Sequence, residues 1–156
     1  MNIDTNIEKE SESCKLTAYP DPKWHGIART AANHDAWGKP WTNGWGHIKG
    51  VYEGQVITQD QADQWLIDDL HDALMFVGHA VTVPLNDNQM SALVDFVFNV
   101  GGKNFAGSTL LKLLNEGKYD EAAAQFGRWN HAGALTLVGL TKRRAAEAAM
   151  FKAGTV

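Results

Sequence analysis

A chain of 156 residues, 44% apolar and 21% charged, is one domain's worth of sequence, with enough material for a core and no low-complexity tract. It has no apolar run of about eighteen residues, the least that spans a membrane, and its formal net charge of −4 argues against nucleic-acid binding. The single cysteine, Cys14, rules out an intramolecular disulfide.

The first residues, Met1-Asn2-Ile3-Asp4-Thr5, lack the basic and apolar parts of a signal peptide, so the chain is expected to be made in the cytoplasm and to stay there initially. Ile3, Ile7 and Cys14 recur at helical spacing, which predicts a short helix from about Asp4 to Cys14, with Cys14 as a small apolar residue on its buried face. Pro20 and Pro22 end anything helical. From about residue 16 to 56 no helical period appears. This segment is rich in Gly, Trp, Thr and His and suits a small irregular hairpin region.

Thr58, with Gln61 three residues on, is a capping-box signature for a helix running to about Gly78 or His79. Ala62, Leu66, Asp69/Leu70, Ala73 and Val77 mark one face of it. Pro84 breaks the chain, and Asn86 can cap the next helix, with Gln89 at its third position. Met90, Leu93, Val94, Val97 and Phe98 form an apolar stripe there, wide enough for a buried helix. Gly101-Gly102 should end it. Ser108 or Thr109 opens a leucine-rich helix closed by Gly117. Further helices are expected over 119 to about 130 and from about Thr141 to Ala153. Lys142, Arg143, Arg144 and Lys152 gather near the C-terminus, so a local positive field can oppose the net charge.

The stretch that carries chemistry lies early. Glu12 and Asp21 stand nine residues apart on either side of a chain reversal. Glycoside hydrolysis generally needs two carboxyl groups flanking one sugar–sugar bond, one protonated and one ionised. Four tryptophans lie nearby, Trp24, Trp37, Trp41 and Trp45. Flat indole faces suit the apolar faces of sugar rings, though the same rings also suit packing of a lobe poor in aliphatics. By composition alone Glu12 is an ordinary helix-surface glutamate and Asp21 a turn aspartate between two prolines. His25, His34, Asp35 and His47 are residue types that bind zinc, but no helical His pair or tight spacing supports a site, so no metal is expected.

Glu12, Leu16, Tyr19, Asp21, Thr42, Gly44, Gly46 and His47, read together, resemble the phage-type lysozymes, the endolysins of glycoside hydrolase family 24. Val83-Pro84-Leu85, Asn88-Gln89, Phe98-Asn99-Val100-Gly101, Arg128-Trp129-Asn130 and Gly139-Leu140 with Arg143-Arg144 extend the resemblance over nearly the whole chain. The sequence departs from the family in two places. Twenty residues separate Asp21 from Thr42, roughly fifteen beyond the common spacing, and Asn43 replaces the usual Ile.

The resemblance implies an α+β, mainly α, lysozyme-like two-lobed fold in a single catalytic domain. A β-hairpin lobe would cover about 15–57. A helical lobe would cover about 58–156 with the N-terminal helix, and the long helix from Thr58 would join the two. It implies a muramidase that cleaves the β-1,4 bond between N-acetylmuramic acid and N-acetylglucosamine, with inversion. Glu12 would be the general acid, its pKa raised by partial burial. Asp21 would be the base, and Thr42 would help it hold the attacking water. Tyr19, Trp45, Phe98, Asn99 and Arg143 would meet the glycan, and His47 would pair with Asp69. No cofactor is implied. The partner would be bacterial peptidoglycan, met by a monomer that depends on a holin for release to the periplasmic wall. The insertion should be absorbed between Lys23 and Pro40 as a flap that, with His25, Arg29, His34, Trp37 and Lys39, extends the glycan-binding surface, returning Thr42 to Asp21, with the Glu12 and Asp21 carboxyls roughly 6.5–9.5 Å apart. Rival readings are a lytic transglycosylase or chitinase-like glycosidase on the same scaffold, and a non-catalytic peptidoglycan-binding module.

Overall fold

The computed structural model describes residues 13–132 and 135–153. Glu12 and nearly all of the expected first helix lie outside the described residues. Ser13 and Cys14 are irregular, and half-buried Cys14 accepts a long contact from Gln59 Nε2 at 3.6 Å. The described residues divide into two compact units, 13–69 and 70–153. The division falls inside the long helix, later than the expected boundary near residue 57.

In the first unit, strand β1 (Lys15–Tyr19) pairs antiparallel with β2 (Thr42–Gly44), with Lys15 opposite Gly44 and Tyr19 opposite Thr42. The register slips between these pairs, so β1 carries extra residues and bends. The other edge of β1 is covered by residues 55–57, through Ala18 N–H to Gln55 O at 2.8 Å and Ile57 N–H to Leu16 O at 2.9 Å. After β2 the chain reverses tightly. Asn43 and His47 exchange both backbone hydrogen bonds at 2.9 Å. Asn43 is fully buried. Its Oδ1 accepts from Gly44 N–H at 2.9 Å and its Nδ2 donates to Gln55 O at 3.3 Å. The family's apolar residue is thus replaced by one that ties the turn to the neighbouring segment. Gly44, at φ +58°, lies against Ala62, whose Cβ would stand 3.3 Å from any Cβ added there.

The insertion is an irregular loop knitted by turns and side chains. A 3₁₀ turn (Pro22–Trp24) starts it, with Asp21 Oδ1 accepting from Lys23 N–H at 2.9 Å. Asn33 fastens the middle, accepting from Thr30 N–H at 2.7 Å and donating to Ala28 O at 3.2 Å. The base is closed by Asp21 N–H to Gly38 O at 3.0 Å. A loop whose ends meet adds length without displacing the strand after it. Gly38 sits at φ +83°, and a Cβ there would collide with the ring of buried Trp41. Gly38→Ala should therefore cost about 2 kcal/mol or more, from backbone strain and the clash together. Denaturant midpoints measure this, and an unchanged midpoint would mean that the Trp41 ring gives way freely.

Helix α1 (Gln59–Ala80) begins as its sequence dictates, with Thr58 Oγ1 accepting from Gln61 N–H at 3.2 Å. Ala62 and Leu66 are buried in the first unit, and Leu70, Ala73 and Val77 in the second. In the second unit, α2 (Asp87–Val100) opens on a full capping box between Asn86 and Gln89 and ends at Gly101, φ +85°. The buried face differs from the expected apolar stripe, whose outer members Met90 and Phe98 are only half-buried. Gln89 and every residue from Ser91 to Val97 are buried, because α2 is surrounded on most of its circumference. Phe96 is its hub, edge-on to Phe105, Phe126 and Trp129. Such aromatic pairs add about 0.5–1.5 kcal/mol each beyond burial.

The rest of this unit is shorter-jointed than expected. A helix missed in the sequence, α3 (Gly102–Ala106), follows Gly101 at once, because that glycine both ends α2 and starts the next turn. Helix α4 (Thr109–Asn115) is capped by Ser108, whose Oγ accepts from Leu111 N–H at 3.1 Å, and Gly117 follows at φ +75°. The expected helix over 119–130 is instead α5 (Tyr119–Ala123) followed by a 3₁₀ turn, Phe126–Arg128. A two-residue hairpin, β3 (His131–Ala132) with β4 (Leu135–Thr136), was not expected. Helix α6 (Val138–Ala153) starts three residues earlier than expected. Among the described residues no helix is long and apolar enough to cross a membrane.

Candidate active site

The pairing of β1 with β2 decides where the insertion leaves Thr42. Tyr19 and Thr42 are cross-strand partners, and Asp21 lies two residues beyond Tyr19 with its own N–H bonded across the loop base to Gly38 O at 3.0 Å. Asp21 and Thr42 therefore leave the same end of one strand pair. The Asp21 side chain is 27% exposed and Thr42 is half-buried. Oδ1 of Asp21 takes the Lys23 backbone N–H at 2.9 Å, while Lys23 Nζ stands 3.9 Å from Oδ2. Glu12, the other expected carboxyl, lies outside the described residues.

The turn after Thr42 is pinned to helix α1 by two polar contacts. Trp45 Nε1 donates to Asp63 Oδ1 at 2.7 Å. His47 is buried with both ring nitrogens facing acceptors, Nδ1 toward Asp69 Oδ2 at 2.7 Å and Nε2 toward Lys49 O at 2.8 Å. Its ring also stacks on Trp65 at 4.4 Å. The His47–Asp69 pair is thus present, and it fixes the turn that carries β2. Asp63 and Trp65 were missed in the sequence. Their signal was an acid and an aromatic two positions apart near the start of α1, where the helix meets the glycine-rich turn. His47→Ala removes the stacked ring and leaves Asp69 without this partner, so it should cost about 1–3 kcal/mol. The check is the urea midpoint of His47→Ala against wild type, and a change under about 0.5 kcal/mol would reduce the pair to an incidental contact.

The phage lysozyme family model matches residues 9–147. The chain belongs to the phage lysozyme family. An endolysin of Acyrthosiphon pisum secondary endosymbiont phage 1 is 44% identical over 116 residues, covering 72% of this chain and 80% of the relative. The muramidase domain of SpmX from Asticaccaulis excentricus shares 32% identity at a TM-score of 0.80, covering 96% of this chain and 97% of that one. A mutant P22 lysozyme shares 34% identity at a TM-score of 0.73, covering 97% and 98%. The mainly helical architecture with its small antiparallel sheet is a lysozyme fold, and the protein is a lysozyme-type glycoside hydrolase.

Within this phage lysozyme, the other expected glycan contacts lie in the second unit, and they divide. Phe98 and Asn99 are half-buried at the end of α2. Asn99 lines a concavity of about 530 Å³ with Trp129, Arg128 and His131, and its Oδ1 also accepts from Arg144 Nη2. Arg143 differs from expectation. It is 3% exposed, and its guanidinium grips Asp95 through Nη2 at 2.6 Å and Nε at 3.3 Å. It is a buried cation whose carbon lies 5.9 Å from the Phe98 ring centroid, so it acts on that end of α2 from inside.

Nor do Arg143 and Arg144 supply a surface field. Both are buried with Glu147, whose Oε2 stands 3.0 Å from Arg144 Nη1 and whose Oε1 stands 3.5 Å from Arg143 Nε. Burial, then the adjoining Asp95 carboxyl, push Glu147 up to about 10 against the pull of Arg144 and Arg143. Burial lowers the Arg144 value. Asp95 was missed in the sequence, although an acid inside an otherwise apolar helix is itself a signal of a buried partner.

Proposed function

We propose that the protein is a muramidase that hydrolyses the β-1,4 bond between N-acetylmuramic acid and N-acetylglucosamine in bacterial peptidoglycan, with inversion. Glu12 gives its proton to the leaving glycosidic oxygen. Asp21 takes a proton from a water that Thr42 also holds. That water attacks the anomeric carbon from the face opposite the departing sugar. The pairing of Tyr19 with Thr42 carries this reading, because it brings the threonine back to the Asp21 end of β1 across the inserted residues. A hydroxyl can accept from one partner while donating to another, which suits Thr42 to share a water with a carboxylate. Trp45, Tyr19, Phe98 and Asn99 are the proposed glycan contacts. Arg143 enters as the buried support of Phe98 rather than as a sugar ligand.

The relatives' endolysin names support a place in phage release. We assign the enzyme to the host cytoplasm when made and to the cell wall when acting, as a monomer released by a holin. The test is clearing of outer-membrane-stripped bacteria followed by mass analysis of the fragments. Muropeptides with a reducing N-acetylmuramic acid end, released first as the α-anomer, are expected. Anhydro-muropeptides would make the enzyme a lytic transglycosylase, and β-anomers would remove the inverting step. Binding without cleavage would leave a recognition module.

A further inference from the structure

We propose that the loop between Asp21 and Thr42 builds a second carbohydrate subsite, a pocket for N-acetylated amino sugars beside the residues assigned to water activation. The proposal rests on the muramidase reading and adds a site to it. The pocket is a concavity of about 870 Å³ lined by the loop and by residues 48–53, and neither Asp21 nor Thr42 is among its lining residues. That volume lies in the range of small-molecule sites, about 300–1,000 Å³.

The walls are aromatic and held in place. Trp24 Nε1 donates to Lys39 O at 3.0 Å, and Trp37 Nε1 donates to Ile27 O at 2.8 Å. With their polar edges satisfied by the loop's own carbonyls, both indoles have fixed orientations. Trp37 leans on buried Trp41 at 6.0 Å between ring centroids, and Tyr52, 62% exposed, supplies a further ring. The negative π-face of such rings attracts the weakly positive C–H groups of a sugar ring, and a fixed ring loses little entropy on binding.

Charged side chains line the same pocket, among them Lys23, Arg29, Asp35, Lys39 and Glu53. Arg29 Nη1 bonds both oxygens of Glu53 at 3.0 Å, tying the loop to the segment that carries Tyr52. The Arg29 guanidinium also lies 5.7 Å from the Trp37 ring centroid. The pocket therefore combines aromatic rings with charged side chains, which suits a sugar better than an apolar ligand. Trp41 lines it and directly precedes Thr42, so a glycan strand lying along the Asp21 end of β1 passes its edge.

The experiment follows the indole N–H signals of ¹⁵N-tryptophan-labelled full-length protein during titration with the N-acetylglucosamine tetramer. Trp24→Phe and Trp37→Phe assign the signals. Saturable shifts of Trp24 and Trp37 are expected, with at least fivefold weaker binding in Tyr52→Ala. If that variant loses signal dispersion, Lys39→Ala replaces it with the same expectation. Shifts confined to Trp45, Trp65 or Trp129, no shift, or an affinity unchanged in the variant would overturn the proposal. Equal binding of a glucose tetramer would overturn the assignment to N-acetylated sugars. Release of reducing ends from purified wall is scored separately. Cleavage without Trp24 and Trp37 shifts would remove the subsite and keep the muramidase.

Discussion

Glu12→Gln should abolish wall clearing with the fold intact, and Asp21→Asn should do the same, each by a factor of about 10² or more. The two replacements keep size and polarity and remove the ability to give or take a proton. Asp21→Asn is the sharper structural test. The Asp21 backbone N–H, which closes the loop base on Gly38 O, survives the change, and an amide oxygen can still accept from Lys23 N–H. The loop should therefore keep its closure while the base is lost. Thr42→Ala should cost less, about tenfold, near the upper value of one hydrogen bond between neutral groups. Clearing rates, with circular dichroism to confirm folding, decide the matter. Glu12→Gln that clears at more than a few per cent of the parent rate would move the acid to another residue, Glu8 or Glu10 first. An active Asp21→Asn would point to a single-acid mechanism.

What could be read from the sequence was whatever depends on short spacing. Thr58, Asn86 and Ser108 sit three residues before the groups they cap, so their helices start where a local rule puts them. The stripe from Ala62 to Val77 repeats with the helical period, and its apolar members are buried. Harder to read was whatever depends on distant partners. Asp95 and Arg143 are forty-eight positions apart, and nothing local says that one neutralises the other. Arg143 and Arg144 read as a basic surface cluster for the same reason. The fit of Gly38 against the Trp41 ring could not be read because the loop has no period, although its turns are as specifically bonded as a helix. The active-site motif lies between these cases. Its residues are legible as types in a pattern, while the return of Thr42 to the Asp21 end of β1 is a matter of cross-strand register.

The largest loss of stability should come from the buried cluster of Asp95, Arg143, Arg144 and Glu147. Asp95→Ala leaves the Arg143 guanidinium, whose side chain is 2% exposed, without its bidentate partner. Breaking a buried pair from one side costs about 3–5 kcal/mol, because the desolvated charge that remains has lost its compensation. Glu147→Gln should behave differently. With its carboxyl pushed up to about 10, Glu147 holds its proton in the folded chain at neutral pH, while an unfolded chain releases it near 4.5. The folded state then binds more protons than the unfolded one throughout that interval. Stability from this group is fully present below 4.5 and falls as pH rises toward 10. Glutamine mimics the protonated acid and has no such slope. The stability advantage of wild type over Glu147→Gln should therefore shrink from about pH 5 to about pH 9, read as the difference between their melting temperatures. An advantage that grows with pH would mean that Glu147 is ionised beside Arg144, and that Arg144 and Arg143 outweigh burial in setting its charge.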